Sequence, residues 1–353
     1  MDVREQTGTA VGAHLVGGLK APDAETAMRT TGTILGRHLH AITDGETGER
    51  NQWIGWQLGK LTSVDGIELA GMKTVPDQEN EDYSEFPALA VAPSVSELPS
   101  RSLGYADAAE SSYPIFKRLR AEGVIPAGVK FQVSVPTPYA SVVAWVQEED
   151  QARFFPVYAR AILDEVSEIA RVVDAGDLVI QYDVAIEIGA LCGAFIAAGE
   201  LGEKWFIVDA LKDVLTIPAG DVERGLHLCY GDYRHRHFTV PSDLSLCVEL
   251  ANATGERADF VHMPADRETG RDPRYYEPLR ELDARRLALG VIDYEGDAER
   301  TRELVEAAAA GSGGMEFAVA TECGMARIDE RGPGGPSLER LLELHALNAA
   351  PIR

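Results

Sequence analysis

The strongest constraint on the fold is a repeated alternation of short apolar runs with longer amphipathic segments. Each run is continuous rather than alternating in polarity, as expected of parallel strands that are buried on both faces. The eight predicted strands cover residues 13–18, 39–45, 130–136, 177–183, 225–231, 258–264, 287–293 and 317–324. Helical patterns cover residues 23–38, 50–61, 111–123, 148–173, 272–286, 297–311 and 337–348. Eight strands, each followed by helical sequence, predict an α/β protein of the (β/α)8 TIM-barrel class.

The alternative is a doubly wound open sheet, which usually has fewer strands and a glycine-rich phosphate turn. The GxGxxG pattern is absent from the sequence. We therefore expect one barrel domain over residues 1–353, with a long insertion of about 85 residues between strands two and three. The insertion, 50–128, is expected to be either decoration or a lid, since loops after strands emerge at the catalytic face of a barrel.

Charge and cysteine content limit the kinds of binding partner and the cellular compartment that we expect for this protein. The chain has 33 Lys and Arg against 57 Asp and Glu, a formal net charge of −24, which argues against nucleic acid or an anionic membrane as partner. We find no apolar run of about 18 residues and no signal-peptide pattern at the N-terminus. The four cysteines are too few for a disulfide scaffold, so we expect a cytoplasmic protein. We expect it to be an enzyme that acts on small molecules. The oligomeric state stays open.

The residues able to do chemistry cluster where the predicted strands end. In a barrel this edge is the catalytic face, so their side chains are expected to meet around one cavity. The candidates are Asp44, Glu46, Arg50, Asp183, His227, Cys229, His262, Asp266 and Cys323.

A metal site is the first hypothesis for this face. His227 and Cys229 are two apart on one strand, so their side chains point to the same side. Cys323 ends a strand that lies three positions further around the ring and can face the same cavity. One imidazole and two thiolates suit zinc better than a hard ion. The alternative is a buried structural cysteine beside a histidine of the core.

Four motifs resemble the catalytic C-terminal domain of cobalamin-independent methionine synthase. They are ITDGETGER, LVIQYDVAIE, GLHLCYGDY and ATECG, and the resemblance covers nearly the whole chain in order. It implies a (β/α)8 barrel in which zinc activates a substrate thiol for methylation. It further implies that Zn²⁺ is bound by His227, Cys229 and Cys323, and that Asp183 and Glu46 bind the amino group and other parts of the substrate.

The sequence departs from this family in three respects. The family's zinc-binding Glu is expected near Pro264, so His262 or Asp266 would have to replace that ligand. A substrate-contacting Ser after strand one is replaced by Gly18, which puts recognition of a free amino acid in question. A chain of 353 residues leaves no room for the family's second barrel, so the sequence resembles the short, single-barrel members.

The predicted activity is zinc-dependent transfer of an alkyl group, with methyl as the expected one, from a donor to a zinc-bound thiolate. Two cysteinates already neutralise the zinc charge, which favours attack on an electrophilic carbon over activation of water. Asp183 and His262 are the predicted catalytic residues, and Asp44, Glu46, Asp183 and Gly18 the predicted substrate-binding residues.

Three alternatives stay open at this point. A zinc-dependent thiol lyase or epoxide–thiol transferase would use the same thiolate on another electrophile. A metal-free enzyme resembling uroporphyrinogen decarboxylase would need arginines at the cavity mouth, and a zinc-storing or thiol-binding protein would show no turnover. Outside the main cluster, we assign His235 and His237 to a polar loop without a role.

Overall fold

The computed structural model describes residues 9–74, 85–232, 236–328 and 335–352. Within these ranges the strands are β1 Ala10–Ala13, β2 Ala41–Thr43, β3 Ile67–Thr74, β4 Glu85–Val91, β5 Lys130–Pro136, β6 Leu178–Val184, β7 Glu223–Leu228, β8 Phe260–Pro264, β9 Leu287–Ile292 and β10 Phe317–Thr321. The α-helices are α1 Ala24–Leu35, α2 Gln57–Thr62, α3 Tyr105–Ala121, α4 Pro138–Trp145, α5 Glu148–Val172, α6 Ile186–Leu191, α7 Lys204–Val214, α8 Ser245–Thr254, α9 Ala298–Gly311 and α10 Leu338–Asn348.

Eight of these strands form a single parallel sheet that curls around its own interior. Its order is β1-β10-β9-β8-β7-β6-β5-β2, and the paired strands all run parallel. An isolated parallel bridge between Ala13 and Leu39 joins the end of β1 to the residues just before β2. The prediction of eight parallel strands in an α/β protein is confirmed, as is their sequential order between β5 and β10.

Burial explains why these segments become strands and helices. Every residue of β6 and β9 is buried, because helices cover one face and the interior of the curled sheet covers the other. The long helix α5 buries a single stripe that includes Phe154, Tyr158 and Ile162, spaced four residues apart. The predicted helix starts at Asp23 and Asp297 are confirmed, since each side chain accepts hydrogen bonds from backbone N–H groups of its own first turn.

Most predicted elements have bounds within three residues of the observed ones, and two outside the insertion differ more or change type. The first strand was predicted at 13–18 but ends at Ala13. Residues 15–18 stay buried as a loop, and Leu19 donates its N–H to the carbonyl of Gly45 at 2.8 Å. The predicted helix 272–286 is a 3₁₀ helix at Pro273–Glu281. Its internal Pro278 lacks the N–H that an α-helix needs, which explains the change of type.

The insertion 50–128 contains structure that the sequence analysis did not predict. β3 and β4 form an antiparallel hairpin, whose connecting residues 75–84 lie outside the described residues. The predicted helix 50–61 is split into a 3₁₀ turn, Gly48–Gln52, and α2. The hairpin is tied to the body of the protein, since Lys73 Nζ donates to the carbonyl of Val143 at 2.7 Å. In the described parts of the chain, the structure has no helix both long and apolar enough to cross a membrane.

Candidate metal centre and substrate cavity

Three side chains with soft or borderline donor atoms converge at the carboxyl ends of β7 and β10. His227 is the last but one residue of β7, Cys229 follows that strand, and Cys323 lies two residues beyond β10. Their donor atoms all lie within 4.8 Å of one another. The two sulfurs are 3.7 Å apart, and Cys323 Sγ is 3.8 Å from His227 Nε2. The sheet order brings together residues that are 94 positions apart in the sequence.

These spacings fit a tetrahedral zinc ion. With Zn–S bonds of about 2.3 Å and Zn–N bonds of about 2.0–2.1 Å, tetrahedral angles place two sulfurs about 3.8 Å apart and a sulfur and a nitrogen about 3.6 Å apart. The Cys229–Cys323 distance and the Cys323–His227 distance agree with these values to within a few tenths of an ångström. Both cysteines are free thiols, so the short sulfur–sulfur distance is not that of a disulfide.

The electrostatics of the three residues favour a thiolate. The pKa of Cys229 lies well below its ordinary value, because the Cys323 thiol donates a hydrogen bond to it and the His227 ring lies beside it. Burial works against a charged ring at His227, but the adjacent Cys229 nevertheless raises the pKa of that imidazole. These contacts favour a negative sulfur at Cys229, next to the nitrogen donor of His227.

The structure does not bring His262 or Asp266, the two candidates for a fourth ligand, into this cluster. His262 lies opposite His227 on the neighbouring strand β8, and its Nδ1 is 2.7 Å from Nδ1 of His227. Its Nε2 is 3.1 Å from the carbonyl oxygen of Thr321, so both ring nitrogens face protein groups. The carboxylate of Asp266 instead caps the turn that follows β8, accepting from the backbone N–H of Thr269 at 2.9 Å.

Another buried group near the cluster is His237, which the sequence analysis had left in a polar loop. Its side chain is only 8% exposed and lies between Asp266, at 3.5 Å, and Glu322, at 3.1 Å. Burial opposes a charge on this ring, but the two carboxylates raise the pKa of His237 well above its ordinary value. The HxH pattern was the available signal, although His235 itself lies outside the described residues.

Two acids face the His227–Cys229–Cys323 cluster across a cavity of about 60 Å³. Asp183 and Glu46 line it together with Trp53, Cys229 and Cys323. Asp183 lies in register with His227 on adjacent strands. Burial raises the pKa of Asp183 to about 6, while burial and the nearby Asp183 raise the pKa of Glu46 well above its ordinary value. Because two carboxylates resist losing both protons in a dry cavity, the arrangement favours a cationic partner.

Neighbouring side chains hold Asp183 in place. The indole N–H of Trp53 donates to Asp183 Oδ2 at 3.1 Å, and the side-chain amide of Gln181 donates to Oδ1 at 2.9 Å. The Gln181 carbonyl oxygen lies 2.9 Å from Nε2 of His14, which fixes the orientation of the amide. Trp53 comes from the insertion, so that segment contributes directly to the cavity wall.

The tight turn after β2 separates the roles of Asp44 and Glu46. Asp44, a predicted substrate-binding residue, is fully engaged within the protein: its carboxylate accepts from Arg50 at 2.7 Å, from the Ser112 hydroxyl at 2.7 Å and from the Glu46 N–H at 2.9 Å. Gly45 and Glu46 both have positive φ, 79° and 46°. This turn aims the Glu46 side chain into the cavity and leaves the Asp44 carboxylate bonded to protein groups.

The loop after β1 lines the cavity with two glycines, where a larger side chain would meet neighbouring atoms. Gly18, the predicted place of a missing serine, lines the cavity, and a Cβ there would lie 2.9 Å from the Ala326 methyl group. The adjacent Gly17 is more constrained, since a Cβ would lie 2.4 Å from Glu46 Oε1. Two further residues line the cavity, Asp232, to which the sequence analysis gave no role, and Arg327, which it did not single out; their side chains approach to 3.5 Å.

Comparisons with known proteins bear on the fold. No family model matches the chain, and no curated protein matches it. Among solved structures, a B12-independent methionine synthase from Shewanella sp. in complex with selenomethionine has a TM-score of 0.59 at 14% identity, covering 97% of this chain and 95% of that one. The chain shares its fold.

Two further structures agree with this result. A putative vitamin-B12 independent methionine synthase from Listeria monocytogenes has a TM-score of 0.50 at 14% identity, covering 96% of this chain and 98% of that one. A methyltransferase from Methanosarcina mazei has a TM-score of 0.51 at 12% identity, covering 96% and 93%. At these identities the likeness establishes a common architecture over almost the full length of each chain.

Proposed function

We propose that the protein is an enzyme that transfers an alkyl group, with methyl as the expected one, to a zinc-bound substrate thiolate. The observation that carries the proposal is the spacing of His227, Cys229 and Cys323 at one wall of a small cavity. The proposal treats residues 1–353 as one domain whose parallel sheet closes into a (β/α)8 barrel. It also treats 50–128 as a lid, because this insertion supplies Trp53 to the cavity wall.

The chain would supply three zinc ligands and leave the fourth tetrahedral position for the substrate. When bound, zinc lowers the pKa of a coordinated thiol enough to give a nucleophilic thiolate at neutral pH. His227 and the two cysteines hold this centre in position at the ends of strands that are fixed by the sheet. The four free thiols of the chain are consistent with a reducing, cytoplasmic compartment.

Asp183 and Glu46 would bind a cationic group of the thiol substrate. A cation placed between the two carboxylates would relieve their mutual repulsion and allow both to ionise. Trp53 and Gln181 keep Asp183 directed at the cavity, so the distance between the cationic group and the sulfur of the substrate is fixed by protein atoms. The substrates proposed are therefore a small cationic thiol and a separate alkyl donor.

The names of the three structural neighbours, two methionine synthases and a methyltransferase, support alkyl transfer over the alternatives. The cavity does not have the cationic lining that a decarboxylase of polycarboxylates would need: within the described residues it offers Arg327, which is paired with Asp232, beside the acids Glu46 and Asp183. A thiol lyase or epoxide–thiol transferase stays as the second candidate, because it would use the same thiolate.

The test measures thiol binding and turnover on the zinc-loaded protein. A panel of thiols with and without an amino group is added, and proton release is followed in weak buffer. Binding of an accepted thiol should release about one proton per site. Mass spectrometry with methyl donors, alkyl halides and epoxides then identifies the product.

The matched control compares Cys323→Ser with Cys192→Ser, which removes an exposed thiol. The account predicts proton release and alkylation in Cys192→Ser and neither in Cys323→Ser. Equal behaviour of the two variants, or no S-alkylated product from any thiol, would refute the proposed function.

A further inference from the structure

His227 and His262 form a buried pair of imidazoles behind the metal cluster. They lie opposite each other on β7 and β8, their side chains are almost wholly buried, and their Nδ1 atoms are 2.7 Å apart. Two ring nitrogens at this distance form a hydrogen bond in which one carries the proton and the other accepts it. One ring is therefore the donor of this hydrogen bond and the other the acceptor, and the surrounding groups determine which is which.

The backbone of β10 sets that direction. The carbonyl oxygen of Thr321 lies 3.1 Å from Nε2 of His262, and a carbonyl can only accept, so Nε2 of His262 carries a proton. The His262 ring is wholly buried and packs against the rings of His14 and His227, surroundings that disfavour a positive charge, so the ring is neutral and has a single N–H. Its Nδ1 is consequently a lone pair that faces His227.

We propose that His262 is a positioning residue: its Nδ1 accepts a hydrogen bond from the Nδ1–H of His227 and so leaves the lone pair of His227 Nε2 free to bind the metal. This inference rests on the proposed function, because it concerns the same centre. Nε2 of His227 is the nitrogen that lies 3.8 Å from Cys323 Sγ, on the cavity side. His262 thus acts through His227 instead of replacing the missing ligand, and the order of donation runs from His227 through His262 to the Thr321 carbonyl.

The arrangement does two things for the centre. It selects the tautomer in which the ligating nitrogen has its lone pair free, and it holds the His227 ring at a fixed angle between the sheet and the cavity. Outer-shell partners of this kind typically change metal affinity by about 10-fold to 100-fold when removed. We expect His262 to fall in that range.

The test compares two conservative variants, His262→Asn and His262→Gln. The Asn side chain places a carbonyl oxygen near the position of Nδ1, so it can still accept from His227. The Gln side chain places its amide near the position of Nε2, so it can donate to the Thr321 carbonyl but offers nothing to His227. Zinc affinity is measured by competition with a chromophoric chelator, with circular dichroism as the check on folding.

The expected result is a zinc affinity within about threefold of wild type for His262→Asn and about 10-fold to 100-fold weaker for His262→Gln. Equal affinities in the two folded variants would overturn the proposal, since a purely structural role would not distinguish them. Weaker binding by Asn than by Gln would overturn it as well.

A second measurement needs no metal and remains informative if either variant does not fold. Nitrogen-15 NMR of the metal-free wild-type protein should show a proton on Nδ1 of His227 and on Nε2 of His262, and none on Nδ1 of His262. A proton on Nδ1 of His262 would refute the direction of the pair. Because this readout is independent of zinc, a failure of the proposed function and a failure of this inference are distinguishable.

Discussion

Replacement of Asp183 by Asn should stabilise the metal-free protein at high pH while impairing substrate binding. Burial raises the pKa of this carboxyl from 3.8 to about 6, so the folded protein holds the proton more tightly than the unfolded chain does. Ionisation of Asp183 therefore lowers stability as the pH rises from about 4 to about 6, and the loss persists above that range. The difference of 2.2 pKa units (6 − 3.8) corresponds to about 3 kcal/mol at most.

Asn resembles the protonated acid in shape and neutrality, so it removes this pH-dependent loss. Its amide nitrogen cannot accept from Trp53 or Gln181, so one hydrogen bond is lost at a cost that is the same at every pH. Relative to wild type, we expect the free energy of unfolding of Asp183→Asn to be up to about 3 kcal/mol higher at pH 8 and at most about 1 kcal/mol higher at pH 4.5, where only about a third of the loss has developed. The assay is urea unfolding of metal-free protein at both pH values, followed by circular dichroism. The same variant should bind a cationic thiol more weakly in the zinc-loaded form.

The control is Asp209→Asn, which removes the same charge from a side chain that is 62% exposed. It should change stability little at either pH, since exposed charges are well solvated. A stability difference between Asp183→Asn and wild type that is the same at pH 8 and pH 4.5 would refute the argument that burial of this carboxylate strains the fold.

Two further changes test the cavity wall. Trp53→Phe removes the N–H donated to Asp183 at 3.1 Å, so the KM for a cationic thiol should rise several-fold with a smaller change in kcat; an unchanged KM would contradict the positioning role. Gly17→Ala should displace the Glu46 carboxylate and weaken thiol binding without loss of zinc, as measured by calorimetry and metal analysis. Gly128→Ala, which meets no atom within 4 Å, is the control, and equal effects of the two alanines would count against this role of Glu46.

The sequence predicts most of the parallel sheet because a strand that is buried on both faces is a continuous run of apolar residues. The predicted strand at 130–136 has the same bounds as β5, and 177–183 differs from β6 by one residue at each end. The two-residue spacing of His227 and Cys229 sufficed to put both donors on one side. These features follow from local periodicity alone.

The hairpin β3–β4 escaped prediction because it is not part of the core. Most of β3 is exposed, including Leu69 and Met72, so its sequence has neither a continuous apolar run nor a clean alternation. The early end of β1 was missed for the opposite reason. Residues 14–18 are apolar and mostly buried without belonging to the ladder, and composition cannot distinguish a buried loop from a strand.

The roles of individual site residues depend on partners that are remote in sequence. Asp44 and Glu46 look equivalent in the DGE motif, but the hydroxyl of Ser112, 68 residues away, donates a hydrogen bond to the Asp44 carboxylate. His262 is a plausible ligand by position, yet a carbonyl 59 residues away, at Thr321, fixes its orientation. A local sequence pattern shows that a residue has a side chain suited to catalysis or binding, but it does not show which remote groups form hydrogen bonds with that side chain.

The most direct test of the account is the metal content and coordination of the purified protein. X-ray absorption on the zinc-loaded chain, with metal analysis of Cys229→Ser, Cys323→Ser and Cys192→Ser, reports both. We predict about one zinc per chain with two sulfur ligands and one histidine nitrogen from the protein, retained in Cys192→Ser and lost in the other two variants. A protein that takes up no zinc, or a zinc site that survives removal of Cys229 or Cys323 unchanged, would contradict the central claim.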